Sequence, residues 1–238
     1  MIPKKVHYIW LGGKRIPSLT RCCINSWYSN LANYEIVEWN EQSLNIKALR
    51  RDNRFLDTCL RLKLWAFASD YLRLYVLFNN GGIYLDTDVQ VLRSYDDLLS
   101  AEMFVGLEAN EFIGTGVIGA SKYNPIIKRL LDFYEEEIWN VDFINNPIIF
   151  KYLLENEPEL FKGCLVLPED CFSPFNPSAN CRYPFQTSNT YAIHWYSGNW
   201  NMSRKGYVFS NTKHIHNPFV KFFASLRKTI SYEVKSHL

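Results

Sequence analysis

Apolar positions along this chain switch between a spacing of two and a spacing near 3.6, and the switches mark its elements. "KKVHYIWLG" (4–12) is a short aromatic and β-branched run ending at Gly12-Gly13, which predicts a buried strand and a turn. "LTRCCINSWYSNL" (19–31) has helical spacing, and "YEIVEWN" (34–40) alternates Ile36, Val37 and Trp39 with charges as a strand does. Strand, helix, strand opens an α/β fold with a parallel sheet. Residues 44–56 predict one or two short helices. "CLRLKLWAFASDYLRLYVLFNNGG" (59–82) predicts one long helix with Leu64, Ala68, Leu72 and Tyr75 on one face, stopped by Gly81-Gly82. "IYLDTDVQVL" (83–92) alternates as a single strand, and "MFVGLE" (103–108) predicts another. "GTGVIGAS" (114–121) fits a strand or a glycine-softened turn. Two helices follow, "NPIIKRLLDFYEEEI" (124–138), with Asn124 and Pro125 at its start, and "NPIIFKYLLENEP" (146–158). "CLVLPEDCFSPFNP" (164–177) reads as a strand running into a proline-rich loop, and "TYAIHWYSGNW" (190–200) as a last strand. There is no internal repeat and no low-complexity segment.

Two carboxylates interrupt this apolar pattern. Asp86 and Asp88 stand one residue apart at the end of a buried run. On a regular strand, residues i and i+2 share a face, so the two acids would crowd together and one would tend to hold a proton. A divalent cation removes that conflict, and hard oxygen ligands suit Mg²⁺ or Mn²⁺ carrying a diphosphate. Alone, Asp-X-Asp is a weak signal, and a surface turn capped by two acids explains it as well. Upstream, Asp70 and Arg73 are three apart on an otherwise apolar helix, hence on one face. A charge pair in that setting is either buried and matched or turned toward a ligand.

"SDYLRLYVLFNNGGIYLDTDV" (69–89) resembles the signature of glycosyltransferase family 32, the transferases with an Asp-X-Asp sugar-binding region, to which the glucosylating clostridial toxins are distantly related. The resemblance extends to "IPKKVHYIWLGG" (2–13), "SWYSNLANYEIVEWNE" (26–41) and "YAIHWYSGNW" (191–200), and so spans most of residues 1–200. It implies the GT-A fold, a Rossmann-like α/β architecture with a mixed, mostly parallel central sheet flanked by helices, binding nucleotides at the carboxyl ends of its strands. It implies a metal-dependent retaining transfer of a hexose from a nucleotide sugar to a glycan acceptor. Asp70, Arg73, Asp86 and Asp88 match the catalytic positions. Trp10, Asp70, Arg73, Tyr84, Asp86, Asn199 and Trp200 match positions that hold the nucleotide sugar, with Trp10 the base-stacking aromatic. Asp88, with Asp86 and His194, matches the ligand set for Mn²⁺ (or Mg²⁺). Trp10 has core packing as its plain alternative, and His194 a place among neighbouring aromatics. Many relatives carry His-His and Ser-Trp where this chain has His194-Trp195 and Asn199-Trp200, which bears on how the loop closes over the diphosphate. "FIGTGVIGASKYNP" (112–125) and "DFINNPIIF" (142–150) are expected to wall the sugar site, with Glu108 and Asn110 as candidate contacts.

Composition narrows the partners. The chain has 238 residues, 47% hydrophobic, enough for one large domain, here 1–216, with an appendage at 217–238. A net charge of +2 gives no reason to expect nucleic acid. The first residues do not read as a signal peptide and no apolar run reaches membrane-spanning length, so a cytoplasmic protein is expected. Its six cysteines fit no common zinc spacing and are expected to be reduced thiols. "NPFVKFFASLRKTISYEVKSHL" (217–238) is amphipathic, basic and aromatic, and fits either a helix capping the domain or one resting on a membrane surface. The expected partners are a nucleotide-sugar donor and a glycan acceptor, lipid-linked, at the inner membrane face. Alternatives are a toxin-like transferase with a protein acceptor, a non-catalytic sugar-nucleotide binder, and a metal-dependent phosphohydrolase, for which no water-activating base is evident.

Overall fold

The period-two runs become strands and the 3.6-period runs become helices in the computed structural model, which describes residues 1–175, 185–197 and 202–236. In chain order the strands are β1 (Lys5–Ile9), β2 (Glu35–Trp39), β3 (Gly82–Leu85), β4 (Val89–Val91), β5 (Met103–Glu108), β6 (Phe112–Ala120), β7 (Cys164–Leu167) and β8 (Ala192–His194). The helices are α1 (Ser18–Asn30), α2 (Ile46–Asp52), α3 (Arg54–Arg61), α4 (Trp65–Asn80), α5 (Pro125–Asp132), α6 (Asn146–Asn156), α7 (Glu169–Phe172), α8 (Arg204–Thr212) and α9 (Pro218–Ser236). Among the described residues, six strands form the main sheet in the order β2-β1-β3-β6-β5-β7. Five run one way and β6 is reversed, pairing antiparallel with β3 and β5. The mixed, mostly parallel sheet is therefore the one expected.

Strand alternation sorts side chains into two apolar layers. Val6 and Tyr8 of β1 and Ile83 and Leu85 of β3 pack with Ile24 and Trp27 of α1 and Phe172 of α7. Ile9 and Tyr84 face the other way, into the layer formed with α3 to α6. A buried histidine fixes the turn that feeds β3. The Trp39 indole can only donate, so His7 accepts from it at Nδ1 (3.1 Å) and donates from Nε2 to the Gly81 carbonyl (2.8 Å). Gly82 sits there at φ 111°, and a Cβ on it would lie 2.7 Å from the Lys5 carbonyl oxygen. Cys22, Cys23, Cys59, Cys164 and Cys171 are free thiols, and Cys181 lies outside the described residues.

Two of the expected elements are each split in two. The long helix breaks between α3 and α4 at Lys63, whose φ is 57°. That left-handed residue turns Leu64 inward, its N–H on the Cys59 carbonyl (2.8 Å) and its side chain against Gly206. The strand expected over 83–92 ends at Leu85 and resumes as β4 in a different sheet, where Val89 pairs with His194 of β8. Between them the Val89 N–H closes a turn on the Asp86 carbonyl (3.0 Å). Asp86 and Asp88 are thus brought together by a turn between two sheets and not by alternation along one strand.

Candidate functional site

Everything charged in the middle of the sheet converges on the end of β3. Tyr84 faces α4, and Asp86, two residues on, accepts the Tyr84 hydroxyl at 2.8 Å. Arg73 of α4 grips Asp86 with both terminal nitrogens, Nη2 to Oδ1 at 3.1 Å and Nη1 to Oδ2 at 3.3 Å. Its Nη2 also meets Asp70 Oδ1 at 3.0 Å, its Nη1 donates to the Thr115 carbonyl at 2.6 Å, and its Nε donates to the Ser69 carbonyl at 3.3 Å. The guanidinium lies over the Tyr84 ring, 4.5 Å from its centre. Asn146, at the start of α6, clamps the far side: its N–H donates to Asp70 Oδ2 (3.3 Å), its amide donates to the Asp70 carbonyl (3.0 Å), and its side-chain oxygen accepts from the Tyr134 hydroxyl (2.7 Å). Asp70 and Arg73 are each 2% exposed. Of the two readings open for this pair, the buried and matched one holds, and Arg73 reaches outward only through Asp86.

Asp88 belongs to a second cluster built by the small β4–β8 sheet. The Trp195 N–H donates to the Asp88 carbonyl (3.0 Å), the Ser197 N–H donates to Asp88 Oδ2 (2.8 Å), and His194 Nε2 lies 3.4 Å from Asp88 Oδ1. Tyr196, held at φ 47°, packs its tilted ring against His194 with ring centres 4.0 Å apart and donates its hydroxyl to Glu108 at 3.1 Å. Gly116 of β6 joins the two clusters. Its carbonyl accepts the Asp86 N–H (2.8 Å), and a Cβ there would lie 3.2 Å from His194 Nδ1 and 3.4 Å from Asp86 Oδ2.

The electrostatics show what this corner lacks when it stands alone. Burial would raise the Asp88 carboxyl, but His194 and the Ser197 N–H hold it well below the usual carboxylate range. Burial would lower His194, but Asp88 first, then Asp86 and Glu108, raise it instead. Burial dominates at Glu108 and raises it. Burial also pushes the Asp70 carboxyl up to about 6, against the pull of Arg73. The converging carboxylates thus favour positive charge at this corner. One donor atom each from Asp86, Asp88 and His194 lies within 4.8 Å of the others, and two carboxylates with an imidazole suit a divalent transition cation. The residues present therefore fit such an ion. Gly116→Ala is expected to weaken Mn²⁺ binding by about tenfold while leaving the melting temperature near wild type, because the added methyl pushes between two ligands without filling the core. A calorimetric Mn²⁺ titration of both proteins checks it, and equal affinities would remove Gly116 from the site.

Of the residues named from sequence, Asp70, Arg73, Tyr84 and Asp86 form one bonded network, and Asp88 and His194 sit against it. Trp10 follows β1, partly buried, its indole donating to the Lys14 carbonyl (2.8 Å). Asn199 and Trp200 lie outside the described residues. The sequence reading did not name Ser69, Thr115, Asn146, Gly116 or Ser197. Four of these act through backbone groups or through the lack of a side chain, which leaves no chemical signature. Asn146 lies in the stretch 142–150 expected to be a wall, and its caging of Asp70 depends on where α6 lands.

Part of the chain resembles known proteins. Residues 17–105 match the family model described as "Glycosyltransferase sugar-binding region containing DXD motif". The chain is 26% identical to "Subversion of eukaryotic traffic protein A" of Legionella pneumophila over 164 residues, 57% of this chain and 25% of that protein. It is 28% identical to inositol phosphoceramide mannosyltransferase 3 of Schizosaccharomyces pombe over 130 residues, 55% of this chain and 36% of that one. The matches thus span between a quarter and about a third of these relatives' own lengths. Among solved structures, "PaToxG Glycosyltransferase" superposes with a TM-score of 0.52 at 21% identity, over 66% of this chain and 70% of that one, a likeness of fold. The α/β sheet described above is of the GT-A type.

Proposed function

We propose, from the premise that residues 17–105 are a glycosyltransferase sugar-binding region with a DXD motif, that the chain transfers a hexose from a nucleotide sugar to a glycan acceptor. The observation that carries this reading is the convergence of Asp86, Asp88 and His194 at the end of β3, backed by a buried Arg73. The bond from the anomeric carbon to the diphosphate oxygen breaks, and the leaving nucleoside diphosphate keeps the electron pair. The acceptor hydroxyl oxygen bonds to that carbon, and its proton passes to the leaving phosphate on the same face, so the anomeric configuration is retained. Asp88, Asp86 and His194 hold Mn²⁺ (or Mg²⁺), whose chemistry when bound is to neutralise the charge growing on the leaving diphosphate. Arg73, Asp70 and Tyr84 fix the position of Asp86, and Glu108 faces the sugar side. Trp10 stacks on the base, and Asn199 and Trp200 close over the diphosphate. UDP-hexose or UDP-N-acetylhexosamine is the proposed donor, and capsule, lipopolysaccharide or another surface polysaccharide the proposed product. Residues 1–216 are the proposed catalytic domain, acting in the cytoplasm on a lipid-linked acceptor. No described helix is long and apolar enough to cross a membrane.

A protein acceptor is the second reading, favoured by the match to a protein whose name places its action in eukaryotic traffic. Incubating the chain with a labelled donor, and with glycolipid or protein acceptors in turn, separates the two. The donor is tested by thermal shift with a panel of nucleotide sugars, with and without Mn²⁺. One UDP-sugar is expected to raise the melting temperature by several degrees only when Mn²⁺ is present, since a ligand of the folded state stabilises it. Shifts that ignore the metal would sink the proposed role of Asp86, Asp88 and His194.

A further inference from the structure

The C-terminal helix carries an apolar face that nothing among the described residues covers. Phe219, Phe222, Phe223, Leu226, Ile230 and Val234 of α9 are between 51% and 77% exposed. At 100° per residue they fall within an arc of about 120° on one side of the helix. The opposite side is the one that docks. Tyr232 packs on Tyr207 and donates to the Met202 carbonyl (3.0 Å), and Lys228 reaches Asn211 (2.8 Å), while Glu233, at the apolar side, pairs with Arg204 (2.8 Å). The support beneath is firm. Lys213, just after α8, is buried and donates to the carbonyls of Ile138 (2.6 Å) and Val141 (2.5 Å), and Phe209 packs on Trp139. An amphipathic helix normally turns its apolar side to the domain; here the polar and charged groups hold the helix down and the phenylalanines point away.

Charge says what meets that face. Residues 202–238 contain seven Lys or Arg and one acid, whereas residues 1–201 contain 19 and 23. A modestly acidic body thus ends in a strongly basic appendage, and its single acid, Glu233, is paired with Arg204. Lys221 and Arg227 are exposed on α9 itself. A second copy meeting the same face about a two-fold axis would set this positive charge against itself. An anionic lipid surface satisfies both features, taking the aromatic and aliphatic side chains into its headgroup boundary while attracting the cations. We propose that α9 is a peripheral membrane anchor, lying in the plane of an anionic bilayer surface with Phe219, Phe222, Phe223 and Leu226 inserted. This inference does not depend on the transfer reaction.

Flotation of the full chain with vesicles tests it. The chain is expected to float with vesicles containing phosphatidylglycerol, to float at least tenfold less with pure phosphatidylcholine, and to be released by high salt. The double variant Phe222→Asp, Phe223→Asp should lose flotation by tenfold or more while keeping the wild-type melting temperature, because both side chains are already in solvent. Arg227→Glu with Lys221→Glu should weaken flotation in the same direction. Failure to float with phosphatidylglycerol vesicles overturns the proposal. So does equal flotation with neutral vesicles, or a double Phe variant that still floats. Should the chain instead sediment as a dimer that the Phe variant dissociates, with no vesicle binding, the face is a contact between copies and the anchor is refuted. Nucleotide-sugar turnover by the Phe variant is the independent control, and it is expected to be unchanged.

Discussion

Asp88→Asn is expected to lower sugar transfer by on the order of 10³-fold and to abolish the Mn²⁺-dependent thermal shift, with little change in the melting temperature of the metal-free protein. The reasoning starts from what the substitution keeps. Asparagine still offers an oxygen to the Ser197 N–H, and the Asp88 carbonyl still accepts from Trp195, so the turn joining β3 to β4 should persist. What disappears is one negative charge in a partly buried corner shared with Asp86 and His194. The remaining pair, Asp86 and the His194 imidazole, has one anionic oxygen fewer and is a poorer site for a hard cation. Loss of charge stabilisation at a leaving group is worth factors of about 10² to 10³ for a single donor, and this substitution weakens a cation as well. The measurement is initial rate and melting temperature across a Mn²⁺ series, with the exposed Asp52→Asn as control. A variant that keeps both its turnover and its metal-dependent shift would refute the ligand assignment.

The sequence was most legible where one residue's chemistry is confined to its own element. The apolar periods located β1, α1, β2 and β5, whose apolar side chains enter the two buried layers, and left β6 open between a strand and a turn. They failed at Lys63 and at Asp86 for a shared reason. A left-handed residue or a tight turn interrupts the hydrogen bonding without interrupting the apolar spacing, since Leu64 and Val89 stay buried after the break. The site shows the same division. Asp70, Arg73, Tyr84, Asp86 and Asp88 form a local, patterned signature. His194 joins them because β8 pairs with β4, a contact between residues more than a hundred positions apart, and only the family resemblance pointed to it. Asn146 and Gly116 contribute position and space, which composition does not encode. The i, i+2 rule applied to the aspartates is instead obeyed by Tyr84 and Asp86, which share the α4 side of the sheet end and are bonded to each other.

Arg73→Ala should be the most damaging substitution for the fold, lowering stability by about 3–5 kcal/mol at neutral pH and the melting temperature by on the order of 10 °C. Its guanidinium is the only cation seen bridging Asp70 and Asp86 among the described residues, and removing it also leaves the Thr115 carbonyl without that donor. Asp70 cannot move out to water, being 2% exposed and clamped by Asn146. It can only take up a proton, and that makes the deficit pH-dependent. Even beside Arg73, burial raises Asp70 to about 6, whereas the unfolded chain titrates near 3.9. Between those values the folded state holds a proton that the unfolded state has released, so stability falls as pH rises through the window. Without Arg73 the folded value climbs further, and the loss continues above pH 6, where the wild type levels off. The deficit should therefore be smaller near pH 4, where only the lost bonds to Asp86 and the Thr115 carbonyl count, and should grow above pH 6 by up to about 1.4 kcal/mol per pH unit. Denaturant titrations of wild type and variant at about pH 4 and about pH 8 measure it. Adding Asp70→Asn should recover part of the stability, because a neutral amide needs no counter-charge, yet it should not recover transfer, because Asp86 still lacks its holder. A deficit equal at both pH values would mean that Asp70 and Arg73 are not coupled as the geometry requires. A double variant as active as the wild type would mean that Asp86 is fixed by other groups.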